Sequence, residues 1–152
     1  MRERLLLIGR SPCRLSLYLI SLRTIVTAFS GNHQLSVQRL YSTLHLSPHT
    51  RLVAYILRSS IPVKMDRLAS WENVEIREFD FDSRPAFMDL NVNKGEYAWK
   101  PQIIEEVVRD FGGLVLWMDT GDRIRETLGV EFWEDVARSG IWSTNSGGEI
   151  WQ

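Results

Sequence analysis

The 152-residue chain has one cysteine, Cys13, so it can form no intrachain disulfide; three histidines and that cysteine cannot build a Cys/His zinc site either. The fold must therefore be held by packing. Charge of one sign is also missing, since 18 Lys+Arg stand against 19 Asp+Glu for a formal net charge of -1. Coating nucleic acid needs a clustered surplus of Lys and Arg, so no nucleic-acid partner is expected, although a local basic patch is still allowed. No apolar run approaches the roughly 20 residues that span a bilayer, so no transmembrane anchor is expected. Leu5 to Ile8 stops at Gly9-Arg10, and Leu15 to Leu22 lies between Arg14 and Arg23. Neither has the frame of a secretory signal.

What is present suits a soluble core-former. Hydrophobic residues make up 44% and charged residues 24%, which excludes disorder across the whole chain. Six Trp, six Phe and four Tyr supply large side chains for a core or for stacking a ring-shaped ligand. Residues 1–23 carry Arg2, Arg4, Arg10, Arg14 and Arg23 against Glu3, with Ser11, Ser16 and Ser21 between them. That is the composition of an organellar transit peptide, interrupted by Gly9 and Pro12; the simpler reading is a surface segment or short helix packed on the domain. Residues 24–152 read as one domain. The stop at Trp151-Gln152, just after Asn145-Ser146-Gly147-Gly148, suggests a domain incomplete at its C-terminus.

Thr24 to Phe29 is β-branched and aromatic and predicts a buried strand. Ser30-Gly31-Asn32 breaks it, with Asn32 as N-cap of a helix carrying Val37, Leu40, Tyr41 and Leu44. Leu52 to Leu57 predicts a second strand, and Pro62 the first turn of a short helix through Leu68 and Trp71. Val74 and Ile76 alternate with polar residues in a third, half-exposed strand. Pro101 opens the strongest helix, with Ile103, Ile104, Val107, Val108 and Phe111 on one stripe, Glu105, Glu106, Arg109 and Asp110 opposite, and Gly112-Gly113 as its stop. Leu114 to Met118 is short and continuously apolar, as for a strand covered on both faces. A helix from Phe132 to Arg138 and a short Ile141-Trp142 strand follow. Strands alternating with helices predict an α/β class, a Rossmann-like, mostly parallel sheet with flanking helices. The common doubly wound order sets the first strand beside the fourth, with the third and second on the far side. Residues 28–30 and 119–122 would then line the switch-point crevice.

Asp119 and Asp122 stand at the mouth of the last strand, where ionised groups are costly unless solvated or bound to a cation. Such oxygen ligands suit Mg²⁺ or Mn²⁺, which would stabilise charge on a leaving diphosphate. The plainer reading is that Asp119 caps the turn and Asp122 pairs with Arg123 or Arg125. Other nucleotide motifs fail at specific residues: Phe29 to Gln34 has one glycine where a dinucleotide fingerprint needs three, and neither a P-loop Gly-Lys-Ser/Thr nor a Gly-x-Ser-x-Gly occurs.

Four blocks, residues 26–33 (VTAFSGNH), 77–81 (REFDF), 97–104 (YAWKPQII) and 116–122 (LWMDTGD), resemble the ordered blocks of a eukaryotic glycosyltransferase-like family related to the nucleotide-diphospho-sugar transferases of GT-A fold. The likeness runs over about residues 24–151. It implies a transferase that binds a nucleotide-diphosphate sugar, with Thr27, Ala28 and Ser30 beside the nucleoside, Lys100 meeting phosphate, and Asp119 and Asp122 holding Mn²⁺ or Mg²⁺. The acceptor would be a glycan, protein or lipid, and the compartment the Golgi or secretory pathway. The fold's usual Asp-x-Asp is here Asp119-Thr120-Gly121-Asp122, one residue longer.

Two rivals differ in class. A metal-dependent phosphatase would use Asp119 as nucleophile, but such sites usually have the second Asp two positions on, where Gly121 stands. A non-catalytic or truncated module would bind nucleotide without transfer. Lys100 beside Pro101 is otherwise a solvated lysine. His33, His45 and His49 read as surface residues, Trp99 and Trp117 as packing, and residues 143–148 as either a substrate loop or a solvated turn.

Overall fold

The computed structural model describes residues 22–140 except positions 45, 47 and 48. The expectations for the N-terminal segment through residue 21, for His45, for the Ser47-Pro48 turn and for residues 141–152 lie outside the described residues.

Among the described residues, four strands form one all-parallel sheet: β1 (Arg23–Phe29), β2 (Thr50–Ile56), β3 (Val74–Glu78) and β4 (Leu114–Trp117), in the order β3-β2-β1-β4, and three α-helices accompany them: α1 (Gln34–Tyr41), α2 (Trp99–Phe111) and α3 (Val130–Ser139). The architecture is the α/β, Rossmann-like one that the alternation predicts. Among the described residues no helix is long and apolar enough to cross a membrane.

Register gives the sheet two apolar faces. Pairing Val26 with Val53 and Ala28 with Tyr55 sets these residues on one side, where Ile103 and Val107 of α2 meet them with Leu57, Phe79, Phe81 and Trp99. Ile25 paired with Leu52 looks the other way, toward Val37 and Leu40 of α1, with Phe29, Leu68 and Met118. Short parallel strands covered on both sides must be buried at successive positions, which is why β2 reads as a run of apolar residues and β1 as apolar residues with two buried threonines, Thr24 and Thr27.

Three local expectations change around the first helix and the segment after Pro62. Asn32 caps no α-helix: residues 31–33 wind a 3₁₀ turn, α1 starts at Gln34, and Asn32 Oδ1 accepts from the Ser30 hydroxyl. Leu44 falls beyond the helix, which stops where Ser42 and Thr43 hydroxyls turn back onto the carbonyls of Arg39 and Leu40. After Pro62 only a 3₁₀ turn forms, Met65–Arg67. Gln34 explains this, since its amide grips extended Lys64 twice, donating to the carbonyl at 2.8 Å and accepting from the N–H at 2.9 Å. Trp71 still packs, stacked on Tyr41 at 4.3 Å.

On α2 the helix begins at Trp99, and its buried stripe is narrower than the sequence suggests: Val108 is 47% exposed. Glu106, assigned to the outer face, is largely covered, because Tyr55 Oη donates to its Oε2 at 3.1 Å and Arg84 pairs with it. Arg77 adds hydrogen bonds to Tyr55 Oη at 3.2 Å and to Asp110 at 2.6 Å. Burial leads in pushing the Tyr55 phenol above its ordinary value, so it stays a proton donor. Finally, β4 is half-buried at all four positions and forms a sheet edge among the described residues, with Val115 and Trp117 packed on one face and Leu116 on the other.

Candidate functional site

In an open parallel sheet, ligands bind beyond the carboxyl ends of the strands, at the point where strand order reverses. Here that point is between β1 and β4. The chain leaving β1 makes a polar knot in which Ser30 Oγ bonds Asn32 and lies 3.2 Å from His33 Nδ1. It then passes against the chain leaving β2, so close that a side-chain carbon on Gly31 would stand 1.9 Å from the Ile61 carbonyl oxygen. Beyond the ends of β2 and β3 opens a groove of about 490 Å³, lined by Leu57, Ile61, Pro62, Val63 and Phe79 and by the polar Arg58, Ser59, Glu78, Asp80 and Asp82. Arg58 Nη2 donates to Asp82 at 2.7 Å, and its guanidinium lies 5.8 Å from the Phe81 ring centroid. Hydrogen bonds from Ser83 lead in holding the nearby Asp80 carboxyl below its ordinary value.

At the other side of the switch point stands Asp119. Lys100 Nζ donates to its Oδ1 at 2.7 Å, and the Trp117 indole N–H donates to the same oxygen at 3.0 Å. Three rings surround the ammonium, with centroids at 5.3 Å for Tyr97, 5.7 Å for Trp99 and 5.5 Å for Trp117. Tyr97 reaches it from a left-handed run, residues 93–97, in which Asn93, Lys94, Glu96 and Tyr97 all have positive φ. Each such residue costs on the order of 1 kcal/mol, and strain of this kind gathers at functional sites. Gly95 lies inside the run, where a side-chain carbon would meet the Met88 carbonyl oxygen at 2.3 Å.

Asp122 is tied to Asp119 through the backbone: its Oδ2 accepts from the Asp119 N–H at 2.9 Å. The capping carboxylate is therefore Asp122 rather than Asp119. Arg123 turns to the carbonyls of Thr120 and Asp122. Burial raises the Asp119 carboxyl, but hydrogen bonds from Lys100 and Trp117 and the charge of Lys100 outweigh it and hold the group below its ordinary value. A carboxyl lowered by folding contributes stability above its unfolded value, which is lost as pH falls through the lower folded one. Stability should thus decline below about pH 4. Lys100→Met should flatten that decline, as read from urea midpoints at neutral and acid pH. Parallel declines would show that the pair contributes nothing.

The structure brings Lys100 and Asp119 together and joins Asp122 to them. It buries Thr27 completely and Ala28 nearly so, at 0% and 8% exposure, and Thr27 Oγ1 has no hydrogen-bond partner among the described residues. Thr27 thus presents no surface to a ligand in this arrangement. Thr27→Val removes a buried hydroxyl without changing shape, so it should stabilise the protein by about 1 kcal/mol. A lower melting temperature in that variant would reveal an uncounted partner for the hydroxyl. Arg58, Asp80 and Asp82 were not singled out from the sequence. Arg58 follows the apolar run of β2 much as Asp119 follows β4, and the same rule finds both.

A divalent cation needs oxygens free to turn toward it. Asp119 Oδ1 already carries an ammonium and an indole N–H, and Asp122 Oδ2 closes its own turn. Among the described residues no three His, Cys, Asp or Glu side chains stand together as a potential metal site. As arranged, a cation would meet only the second oxygens of Asp119 and Asp122, with the Lys100 ammonium beside them, which disfavours Mn²⁺ or Mg²⁺ here. No protein-family model, curated protein or solved structure matches the chain, so the chemistry has to be read from the site's own geometry.

Proposed function

We propose that the chain binds a nucleotide-diphosphate sugar across the carboxyl ends of its strands and serves glycosyl transfer to a glycan, protein or lipid acceptor. The observation that carries this reading is the half-exposed Lys100, fixed at the switch point between β1 and β4. A cation there suits a diphosphate, and the mixed polar and apolar groove beyond β2 and β3, with Arg58 and the Glu78, Asp80 and Asp82 carboxylates, offers apolar contacts for a base and acceptors for ribose hydroxyls. The nucleoside contacts therefore move, within this proposal, from Thr27 and Ala28 to the groove, whose Ile61 lies against Gly31 in the chain leaving β1, next to Ser30.

Thermal shift of the folded protein with UDP and with GDP tests the reading. Binding to the native state alone raises the melting temperature, by an amount equivalent to about 2.7 kcal/mol at one hundred times Kd. Stabilisation by one of the two nucleotides is the expected result, and no shift with either would overturn the assignment. A second reading, nucleotide binding without transfer, is favoured by one feature: both carboxylates at the mouth of β4 are already engaged. Release of free nucleotide from a sugar donor in the presence of acceptor separates the two.

A further inference from the structure

We propose that Lys100, rather than a divalent ion, supplies the positive charge that holds the ligand's phosphate, and that Asp119 is its counter-ion until phosphate takes its place. The inference rests on the nucleotide-sugar reading and concerns how that ligand is held. Lys100 is the second residue of α2, at the positive end of the helix dipole, where a cation does the helix no service. Its position is instead set by its neighbours. Rings of Tyr97, Trp99 and Trp117 at 5.3, 5.7 and 5.5 Å hold the ammonium without neutralising it.

Among the described residues only Asp119 neutralises it, at 2.7 Å, and that carboxylate is 57% exposed while the Lys100 side chain is 28% exposed. Both partners are therefore within reach of a ligand, and neither would be stranded in an apolar interior by the exchange. Released from Lys100, Asp119 keeps the Trp117 N–H and gains water. Phosphate carries more charge and more acceptor oxygens than a carboxylate, and the helix N-terminus adds to its pull. A divalent ion at the same place would either evict the ammonium from Oδ1 or take the other Asp119 oxygen with the ammonium beside it. It would have two carboxylates, one of which is closing a turn.

The two arrangements predict opposite signs for one substitution. If Asp119 is a counter-ion, Asp119→Asn removes a competitor and tightens phosphate binding; if Asp119 is a metal ligand, the same change weakens it. Calorimetric titration of the whole chain with UDP, GDP and inorganic pyrophosphate, first in EDTA and then in Mn²⁺, reads this directly. Circular dichroism melts confirm that each variant folds. Binding in EDTA, weakened about tenfold by Lys100→Met and tightened severalfold by Asp119→Asn, is the expected pattern. Binding that needs Mn²⁺, or that weakens in Asp119→Asn, overturns the inference and leaves the nucleotide reading standing. Pyrophosphate bound through Lys100 in EDTA, with UDP and GDP inert, keeps the inference and removes the nucleotide reading. No binding of any of the three to folded wild-type protein overturns both.

Discussion

Gly31→Ala should lower the unfolding free energy by about 3 kcal/mol, the upper part of the range for forcing an extra carbon into a filled space. The added carbon would lie 1.9 Å from the Ile61 carbonyl oxygen and 2.6 Å from its carbon. Both are backbone atoms, so no side-chain rotation relieves the overlap and the chain leaving β1 or the chain leaving β2 has to move. The melting temperature should fall by roughly 6 to 12 °C, at about 2 to 4 °C per kcal/mol for a chain of this size. Because Ile61 lines the groove, the displacement should also weaken any nucleotide bound there. Equal melting temperatures for the variant and the parent would mean that the two loops are farther apart than described.

Ile103→Ala is expected to cost about 2 to 5 kcal/mol, through lost burial and the cavity left behind. Ile103 is 0% exposed, in the cluster that joins α2 to Val26, Val53 and Tyr55 on one face of the sheet. Against a total stability of about 5 to 15 kcal/mol, the loss is a large fraction. Val108 lies on the same helix and on the same stripe as read from sequence, yet it is 47% exposed. Val108→Ala should therefore stay within about 0.5 kcal/mol of the parent. Urea denaturation of the two variants measures how α2 is rotated on the sheet, and similar losses at both positions would contradict the packing described.

The difference between Ile103 and Val108 shows where reading α2 from its sequence stops. Apolar spacing locates the stripe but not its edges, because Glu106 is drawn inward by Tyr55 and Arg84, which come from distant parts of the chain. The same limit applies to Gln34, whose two hydrogen bonds to Lys64 keep the segment after Pro62 extended against its own helical tendency. At the site, Asp119 and Lys100 could each be picked out singly, as a carboxylate ending an apolar strand and a lysine opening a helix. Their pairing could not, since the two are 19 positions apart in the chain. Arg58 and Asp82 are joined in the same way across 24 positions.

Sequence alone determined the α/β class, the four strand-forming runs and the placing of Asp119 at a strand's carboxyl end. Each follows from local periodicity, β-branching and the breakers that bound a run. The same alternation of strand and helix, with its right-handed crossovers, was enough to anticipate the order β3-β2-β1-β4. Only the tertiary structure decided that Thr27 is sealed inside the sheet, that Asp122 closes its own turn, and that Asp119 faces an ammonium held by three rings. Those outcomes depend on which side chains arrive from elsewhere in the chain, and a carboxylate's role is set by the charge that reaches it first.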